Sequence, residues 1–229
     1  MRYPNYFGSM MVKFGNADAL ISGLTTDYPT TIRPALQCVG VREGLNIVSG
    51  LYIVAAKKKV YFFADTTVNV NPSSEQLAEI AISAADTVQE FDIIPKVAML
   101  SFSNFGSSPY PETIKVKNAV QLVKLKRPDI IIDGEMQADT AVVQEIIDNE
   151  YPFCGLKGGA NVLIFPDLNS GNIAYKLMAR IGQATVIGPI LMGMKNPIHV
   201  LQRGATVDDI INMTAIAVVE AAPKKKILK

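Results

Sequence analysis

Short apolar segments alternate with longer amphipathic segments along the chain, and this alternation limits the possible folds more than any other feature. The strand candidates are Asp18–Ile21, Leu51–Ala55, Val60–Ala64, Val97–Phe102, Ile130–Asp133, Val162–Phe165, Thr185–Gly188 and Ile198–Leu201. Helical spacing of apolar residues predicts helices over Asn71–Glu90, Pro111–Lys126, Gln137–Asn149, Ser170–Ile181 and Thr206–Ala221. Strands that are followed by helices predict an α/β fold with a mostly parallel sheet covered on both faces.

One connection departs from this alternation, because Ala55–Val60 joins two strand candidates through three lysines. We predict an antiparallel hairpin at a sheet edge, where lysines discourage pairing with another chain. A phosphate site at this turn is the alternative. The basic residues Lys224–Lys226 near the C-terminus are likewise interpreted as solvated charge.

Composition excludes several functional classes. The chain carries 22 basic and 21 acidic residues, a net charge of +1, which lacks the electrostatic footprint of a general nucleic-acid binder. No apolar run approaches the roughly 18 residues that span a bilayer, so no membrane partner is expected. The two cysteines, Cys38 and Cys154, form no disulfide framework and predict buried, inert thiols in a cytoplasmic protein. A single histidine, His199, excludes histidine-rich metal sites.

Polar loops follow several of the predicted strands, and ligands of open α/β sheets bind beyond the carboxyl ends of strands. Ser103, Asn104, Gly106 and Ser107 follow one strand and could present hydroxyl and amide groups to an anion such as phosphate. An ordinary strand-to-helix turn is the alternative. The next such loop, Asp133–Asp139, offers carboxylates for acid/base chemistry or for helix capping.

Two further loops carry candidate ligand groups. Asp167, Asn169 and Asn172 cluster before a predicted helix, where such residues are also usual caps. Arg203 lies at a strand end beside a glycine, and an arginine there suits bidentate recognition of phosphate or carboxylate. Thr206 and Asp209 have the spacing of a capping box, which is a structural alternative for Asp209.

Common nucleotide and metal motifs are absent from the sequence: it has no Gly-x-Gly-x-x-Gly, no Gly-Lys-Ser/Thr loop and no His-Glu-x-x-His. A second arginine, Arg33, precedes a proline in the segment Thr30–Gln37. The residues by themselves therefore predict an α/β, enzyme-like domain with an anion-binding cleft.

Taken together and in this order, these loops resemble the phosphotransacetylase (phosphate acetyl/butyryltransferase) family over nearly the whole chain. The segments that carry the resemblance are Tyr6–Gly8, Thr31–Gln37, Ser101–Ser107, Asp133–Gln137, Phe165–Lys176 and Arg203–Asp209. Three segments look most like the version fused to the C-terminus of bacterial NADP-dependent malic enzymes: Gly134–Thr140, Leu156–Asn161 and His199–Gly204.

The resemblance implies two α/β lobes of three layers with mostly parallel sheets, like those of isocitrate and isopropylmalate dehydrogenases. Residues 41–189 form the central lobe, and residues 1–40 plus 190–229 are a remnant of the first lobe. The chain begins inside that first lobe, so we expect a fragment that lacks about a hundred upstream residues. Family members pair through their central lobes, which predicts a homodimer or a higher homo-oligomer.

The resemblance also implies roles for individual residues. Asp209 is the general base for the thiol of coenzyme A, and Arg33 and Arg203 hold the phosphoryl group. The family's serine, which donates to the oxyanion, is replaced by Gln202. Loss of one such donor typically lowers the rate about a hundredfold to a thousandfold. The acyl-CoA and phosphate site further includes Ser103, Asn104, Gly106, Ser107, Asp167, Asn169 and Asn172.

Because of Gln202, our first hypothesis is an acetyl-CoA-binding regulatory and oligomerisation module of a malic enzyme. The full chain would oxidise and decarboxylate malate to pyruvate, with NADP and Mg²⁺ or Mn²⁺ held only in the missing N-terminal part. The alternative is an active phosphate acetyltransferase, which converts acetyl phosphate and CoA to acetyl-CoA and phosphate. A third hypothesis is a dimerising scaffold without a ligand.

Overall fold

The computed structural model describes residues 3–222. Its helices are α1 (Pro4–Lys13), α2 (Tyr28–Cys38), α3 (Ser74–Glu90), α4 (Pro111–Lys126), α5 (Ala138–Val142), α6 (Gln144–Glu150), α7 (Leu168–Arg180) and α8 (Val207–Ala221). Its strands are β1 (Leu20–Gly23), β2 (Ser49–Ala56), β3 (Lys59–Ala64), β4 (Lys96–Leu100), β5 (Ile131–Met136), β6 (Val162–Ile164), β7 (Thr185–Met192) and β8 (Ile198–Leu201).

Most strands belong to one sheet of six, in the order β5-β4-β6-β3-β2-β7. The four strands from β5 to β3 are parallel, whereas β2 runs antiparallel to both β3 and β7. The remaining strands, β1 and β8, pair in parallel as a separate sheet of two. The predicted α/β class with mostly parallel pairing is confirmed.

The six-stranded sheet is covered on both faces. Helices α3 and α4 pack on one face, and apolar residues of α5, α6 and α7 pack on the other. Leu77, Ile80 and Val88 recur at helical spacing on α3, and all three are completely buried. Full burial of such a side chain contributes roughly 1.5–3 kcal/mol, so this stripe fixes α3 against the sheet. The result is a three-layer α/β/α arrangement.

A serine caps the start of α3. The hydroxyl of Ser73 accepts a hydrogen bond from the Gln76 amide at 3.3 Å, and the Gln76 side chain accepts one from the Ser73 amide at 2.9 Å. This reciprocal pair satisfies two amides that the first helical turn leaves without intrahelical partners.

The predicted hairpin forms, but its position in the sheet was wrong. Strands β2 and β3 pair antiparallel from Leu51 opposite Ala64 to Ala56 opposite Lys59. Both strands lie inside the sheet, and β7 and β5 are at its edges. The burial of the two strands agrees with this position, because most of β2 and the second half of β3 are buried. The lysines therefore mark only a solvent-exposed turn.

Two helices are missing from the sequence prediction, and one predicted helix is divided. The missing helices are α1 and α2. Pro29 and Pro34 make the sequence of α2 look like that of a loop, but Pro29 lies in the first helical turn, where the backbone needs no intrahelical hydrogen-bond donor. The predicted helix 137–149 is interrupted at Val143, which is extended and separates α5 from α6. The basic run Lys224–Lys226 lies outside the described residues.

The two-stranded sheet carries the helices α1, α2 and α8. His199 of β8 is completely buried beneath α8, and its Nε2 lies 2.8 Å from Oε2 of Glu220. Its Nδ1 accepts a hydrogen bond from the Leu191 amide at 3.3 Å. The only histidine of the chain thus joins β7, β8 and the last turn of α8. Within residues 3–222, no helix is long and apolar enough to cross a bilayer.

Candidate active site

The loops that follow β3, β4, β5 and β6 meet at the carboxyl ends of these strands, because the four strands are parallel. We call them the edge loops. The first begins with Asp65, which is 2% exposed. Its Oδ1 accepts hydrogen bonds from the amides of Gly50, Thr67 and Val68 at 2.8–3.1 Å, and its Oδ2 accepts from the amide and the side chain of Asn69. Asp65 therefore builds its own loop.

The loop after β4 is organised by a carboxylate from β5. Glu135 is 1% exposed, and its Oε1 accepts hydrogen bonds from the Ser103 hydroxyl at 3.0 Å and the Gly106 amide at 2.5 Å. Ser103 is also completely buried, and its hydroxyl accepts from the Ser108 amide at 3.1 Å. The hydroxyl of Ser107 accepts from the Asn104 amide at 3.1 Å. These hydroxyls serve the ordinary turn that was the alternative to an anion site.

A second connection joins the same two loops. Oδ1 of Asn104 accepts a hydrogen bond from the Gln137 amide at 2.8 Å, and the Gln137 side chain donates to the carbonyl of Phe102 at 2.7 Å. The loops after β4 and β5 are therefore joined by hydrogen bonds on both sides of Gln137.

The loop after β6 also spends part of its polar groups on structure. Asp167 is the N-cap of α7 and accepts a hydrogen bond from the Ser170 amide at 2.8 Å. Asn172 donates to the carbonyl of Thr66 at 3.3 Å, which connects this loop to the Asp65 loop. Asn169 is exposed. Lys115 donates to the carbonyl of Pro166 at 2.9 Å, and burial lowers the pKa of its ammonium group.

The segment between β8 and α8 presents its charges differently. Gly204 (φ +78°) turns the chain, so that Arg203 is exposed at the end of β8. Asp209 lies in the first turn of α8, and its Oδ2 accepts from the amide and hydroxyl of Thr206 at 2.8 Å each. The Thr206 hydroxyl accepts from the Asp209 amide in return, so the predicted capping box is present.

Helix α2 begins next to this segment. Hydrogen bonds from Thr30 hold the pKa of Asp27, the N-cap of α2, below its ordinary value, and the positive charge of Arg203 acts in the same direction. Arg33 lies six residues farther along α2, which is roughly 9 Å at the helical rise per residue. It is exposed and makes no ion pair within residues 3–222.

Gln202 joins the two sheets, and the resemblance places it at the position of the family's serine. Its Nε2 donates hydrogen bonds to the hydroxyls of Tyr52 at 2.5 Å and Tyr175 at 3.2 Å. The rings of these tyrosines stack with centroids 4.1 Å apart. Burial and the neighbouring Tyr175 raise the pKa of Tyr52, so its hydroxyl stays protonated. We call Tyr28, Tyr52, Tyr175 and Gln202 the sheet junction.

Tyr28 completes the sheet junction with a buried hydroxyl that has no hydrogen-bond partner within residues 3–222. Burial and the charge of Asp65 raise its pKa. Neither these tyrosines nor Asp65 was among the predicted site residues. Ligands of α/β sheets bind beyond the carboxyl ends of parallel strands, and Asp65 directly follows such a strand. It was not predicted because β3 was interpreted as an antiparallel strand at the sheet edge.

The predicted residues thus fall into two groups. Contacts join the loops of Ser103, Asn104, Gly106 and Ser107 to Glu135 and Gln137, and Asn172 to the Asp65 loop. Gln202, Arg203 and Asp209 lie on the β8–α8 segment, whereas Arg33 lies on α2, whose N-cap Asp27 feels the charge of Arg203. A cavity of about 130 Å³ is lined by Arg42, Glu90, Lys195 and Glu220 and contains none of the predicted residues. Residues 3–222 hold no cluster of three or more potential metal ligands.

Comparisons with known proteins agree with this architecture. The model of the family described as phosphate acetyl/butaryl transferase matches residues 1–218. A phosphate acetyltransferase of Bacillus subtilis is 45% identical over 217 residues, which are 95% of this chain and 67% of that protein. An NADP-dependent malic enzyme of Escherichia coli is 41% identical over 219 residues, 95% of this chain but 29% of that protein.

Among solved structures, a phosphotransacetylase from Streptococcus pyogenes superposes with a TM-score of 0.91 at 42% identity. The superposition covers 95% of this chain and 67% of the other. The chain therefore spans about two thirds of the length of the B. subtilis and S. pyogenes proteins, and less than a third of the malic enzyme.

Proposed function

The chain belongs to the phosphate acetyl/butyryltransferase family, and from this premise we propose that it binds CoA and acetyl phosphate at the sheet junction and transfers the acetyl group to form acetyl-CoA and phosphate. The observation that carries the proposal is the exposed Arg203 at the end of β8, beside the N-terminus of α2 and one residue from the sheet junction. Similar proteins named phosphate acetyltransferases support the choice of reaction.

Arg203 and Arg33 are suited to the phosphate of acetyl phosphate. A guanidinium keeps its charge at every physiological pH and can donate two parallel hydrogen bonds to phosphate oxygens. Neither arginine makes an ion pair with a carboxylate within residues 3–222, so their donors are available. Acetyl phosphate can therefore bind to these arginines without the loss of an existing ion pair.

Asp209 is the proposed base for the thiol of CoA. One of its oxygens is held by Thr206, which fixes the carboxylate and leaves the other oxygen to accept a proton. A carboxylate is a much weaker base than a thiolate, so the proton moves to Asp209 while sulfur attacks the acyl carbon, not before. The phosphate then leaves with the bonding electrons of the acyl–oxygen bond.

Formation of acetyl-CoA from acetyl phosphate and CoA tests this proposal directly. We expect turnover by the chain, and a loss of about a hundredfold in kcat/KM for Arg203→Ala because a charged phosphate contact is removed. Arg180→Ala is the matched control, since Arg180 is an exposed arginine in the last turn of α7. Equal activity of both variants would contradict the role of Arg203, and the absence of turnover at any enzyme concentration would contradict the reaction.

A second candidate function is favoured by the bonds of Gln202. Both hydrogens of its amide nitrogen are used by Tyr52 and Tyr175, so Gln202 has no donor left for an oxyanion. The domain could therefore bind acetyl-CoA without transferring the acetyl group, as a regulatory module of an NADP-dependent malic enzyme. NADP and the divalent metal would then belong to a part of the protein outside this chain.

Binding without turnover distinguishes this candidate. Calorimetric titration with acetyl-CoA should give saturable binding, while the transfer assay on the same sample gives none. Acetyl-CoA should then change the rate of malate oxidation by the full-length enzyme, because a ligand shifts a conformational equilibrium only through different affinities for its two states. An unchanged rate would exclude regulation, and no binding at all would favour the scaffold hypothesis.

We further propose that residues 41–189 form a lobe through which two copies pair. Support comes from an aromatic cluster on this part of the chain, in which Phe105 contacts Tyr151 and Phe153 at centroid distances of 5.1 and 4.9 Å. Phe153 is 68% exposed, which is unusual for a side chain that contributes so much apolar area. Light scattering should give the mass of a dimer, and Phe153→Asp should reduce it to that of a monomer.

A further inference from the structure

Gln202 starts on the exposed β8–α8 segment, but its amide ends against two buried tyrosines. Tyr52 is 3% exposed and Tyr175 is 6% exposed. The amide nitrogen donates to both hydroxyls, at 2.5 and 3.2 Å. The exposed Gln202 therefore extends from the end of β8 to Tyr52 of β2 and Tyr175 of α7.

The surface against which Gln202 is held is closely packed. The ring of Tyr52 stacks on Tyr175 with an angle of 19° between the ring planes. Gly188 (φ +144°) also lies against this ring, because an added Cβ there would come within 2.7 Å of Cδ1 of Tyr52. The Tyr52 ring is thus in close contact with a second ring and with a backbone segment.

Gln202 is also next in the chain to Arg203, the residue proposed to hold the phosphate. In an acyl phosphate the acyl carbon is bonded to a phosphate oxygen, so the acyl chain must begin close to the arginine and pass its neighbours. We infer that Gln202 is a specificity-determining residue, which limits the acyl chain to acetyl and excludes butyryl. This inference rests on the proposed binding site, and it applies whether the bound acyl-CoA is a product or a regulator.

Calorimetric titration with acetyl-CoA and with butyryl-CoA tests the inference, using the 229-residue chain and three variants. A pocket typically discriminates against one additional methylene by about tenfold or more. Butyryl is longer than acetyl by two methylenes, so we expect wild type to prefer acetyl-CoA by at least about tenfold. Gln202→Ala should reduce this preference by about tenfold, mainly through tighter binding of butyryl-CoA. Tyr175→Phe keeps the stacked ring but removes one acceptor, and should give an intermediate preference.

Gln121→Ala is the matched control, because Gln121 is an exposed glutamine on α4. It should keep the wild-type preference. Equal affinity of wild type for the two acyl-CoAs, or an unchanged preference in Gln202→Ala, would overturn the inference and leave the proposed function intact. If folded wild type and all variants bind neither acyl-CoA, the proposed binding site itself fails and the inference fails with it.

Discussion

The loops at the edge of the six-stranded sheet and the β8–α8 segment are both rich in polar residues, but they use them in opposite ways. In the loops, the carboxylates of Asp65 and Glu135 are buried and accept hydrogen bonds from the residues around them. On the β8–α8 segment, Arg203 is exposed and Asp209 keeps one oxygen unused. Polar composition alone therefore does not distinguish a ligand site from a scaffold; the hydrogen-bond partners do.

The difference has a physical basis. A buried carboxylate is stable only when hydrogen bonds replace its lost hydration, so each such group requires several donors nearby. Those donors are then unavailable to a ligand. An exposed arginine needs no internal partner, because water solvates it until a ligand displaces the water. For the proposed site, this division assigns the loops after β3, β4, β5 and β6 to its scaffold, and the β8–α8 segment and α2 to its charges.

The largest effect is expected where a scaffold carboxylate is removed. Asp65→Ala leaves the amides of Gly50, Thr67, Val68 and Asn69 without their common acceptor, and each unsatisfied buried group costs about 1–3 kcal/mol. Some amides will find water, so we expect the free energy of unfolding in urea to fall by about 4 kcal/mol. Glu43→Ala is the control, because the Glu43 side chain is 95% exposed and should change stability by less than about 0.5 kcal/mol. Similar losses for the two variants would remove the distinction between the regions.

A smaller loss of stability is expected when Glu135 is replaced, because its two carboxylate oxygens differ in their hydrogen bonds. Only Oε1 accepts hydrogen bonds, whereas Oε2 is buried without a partner within residues 3–222. Glu135→Ala should lower the free energy of unfolding by about 2 kcal/mol, because Ser103 and Gly106 lose their acceptor. Glu135→Gln keeps an oxygen at that position and should cost less than about 1 kcal/mol. A loss as large for glutamine as for alanine would mean that the charge, rather than the hydrogen bonds, organises the loop.

The sequence predicted the class of the fold and the positions of most strands, because apolar periodicity reports burial directly. The spacing of Thr206 and Asp209 indicated a capping box for the same local reason, since a cap involves residues only three apart. Contacts between distant segments left no such local pattern. Nothing near Gln202 in the chain indicates that its amide binds tyrosines 150 and 27 positions away. The same limit applied to Ser103, whose partner Glu135 lies on the next strand.

Asp209 tests whether one residue can both stabilise the fold and act on a ligand. Its side chain caps α8, and it is also the proposed base. Asp209→Asn retains an oxygen that can accept from Thr206, so the free energy of unfolding should change by less than about 1 kcal/mol. Thr206→Ala removes the cap and should cost about 1 kcal/mol. If Asp209→Asn also leaves acetyl transfer unchanged, Asp209 is a cap and nothing more.

The smallest perturbation uses the two cysteines, one on α2 and one near the loop after β5. Cys38 ends α2 and is half-buried, whereas Cys154 is 1% exposed near the loop after β5. Only a thiolate is alkylated, and burial raises the pKa of Cys154 above its ordinary value. Between pH 7 and 9 we therefore expect iodoacetamide to modify Cys38 at least about tenfold faster than Cys154, as followed by mass spectrometry.

The same raised pKa determines how this group affects stability. The folded protein holds the Cys154 proton more tightly than the unfolded chain does, so this contribution is complete below the ordinary thiol pKa of about 8.5. It is lost as the pH rises above that value, when the unfolded chain releases the proton first. Cys38→Ser and Cys154→Ser identify each labelling rate. Equal labelling rates of Cys38 and Cys154 at pH 8 would mean that the segment around Cys154 opens to solvent as readily as the end of α2. The expected difference between the two regions would then be absent.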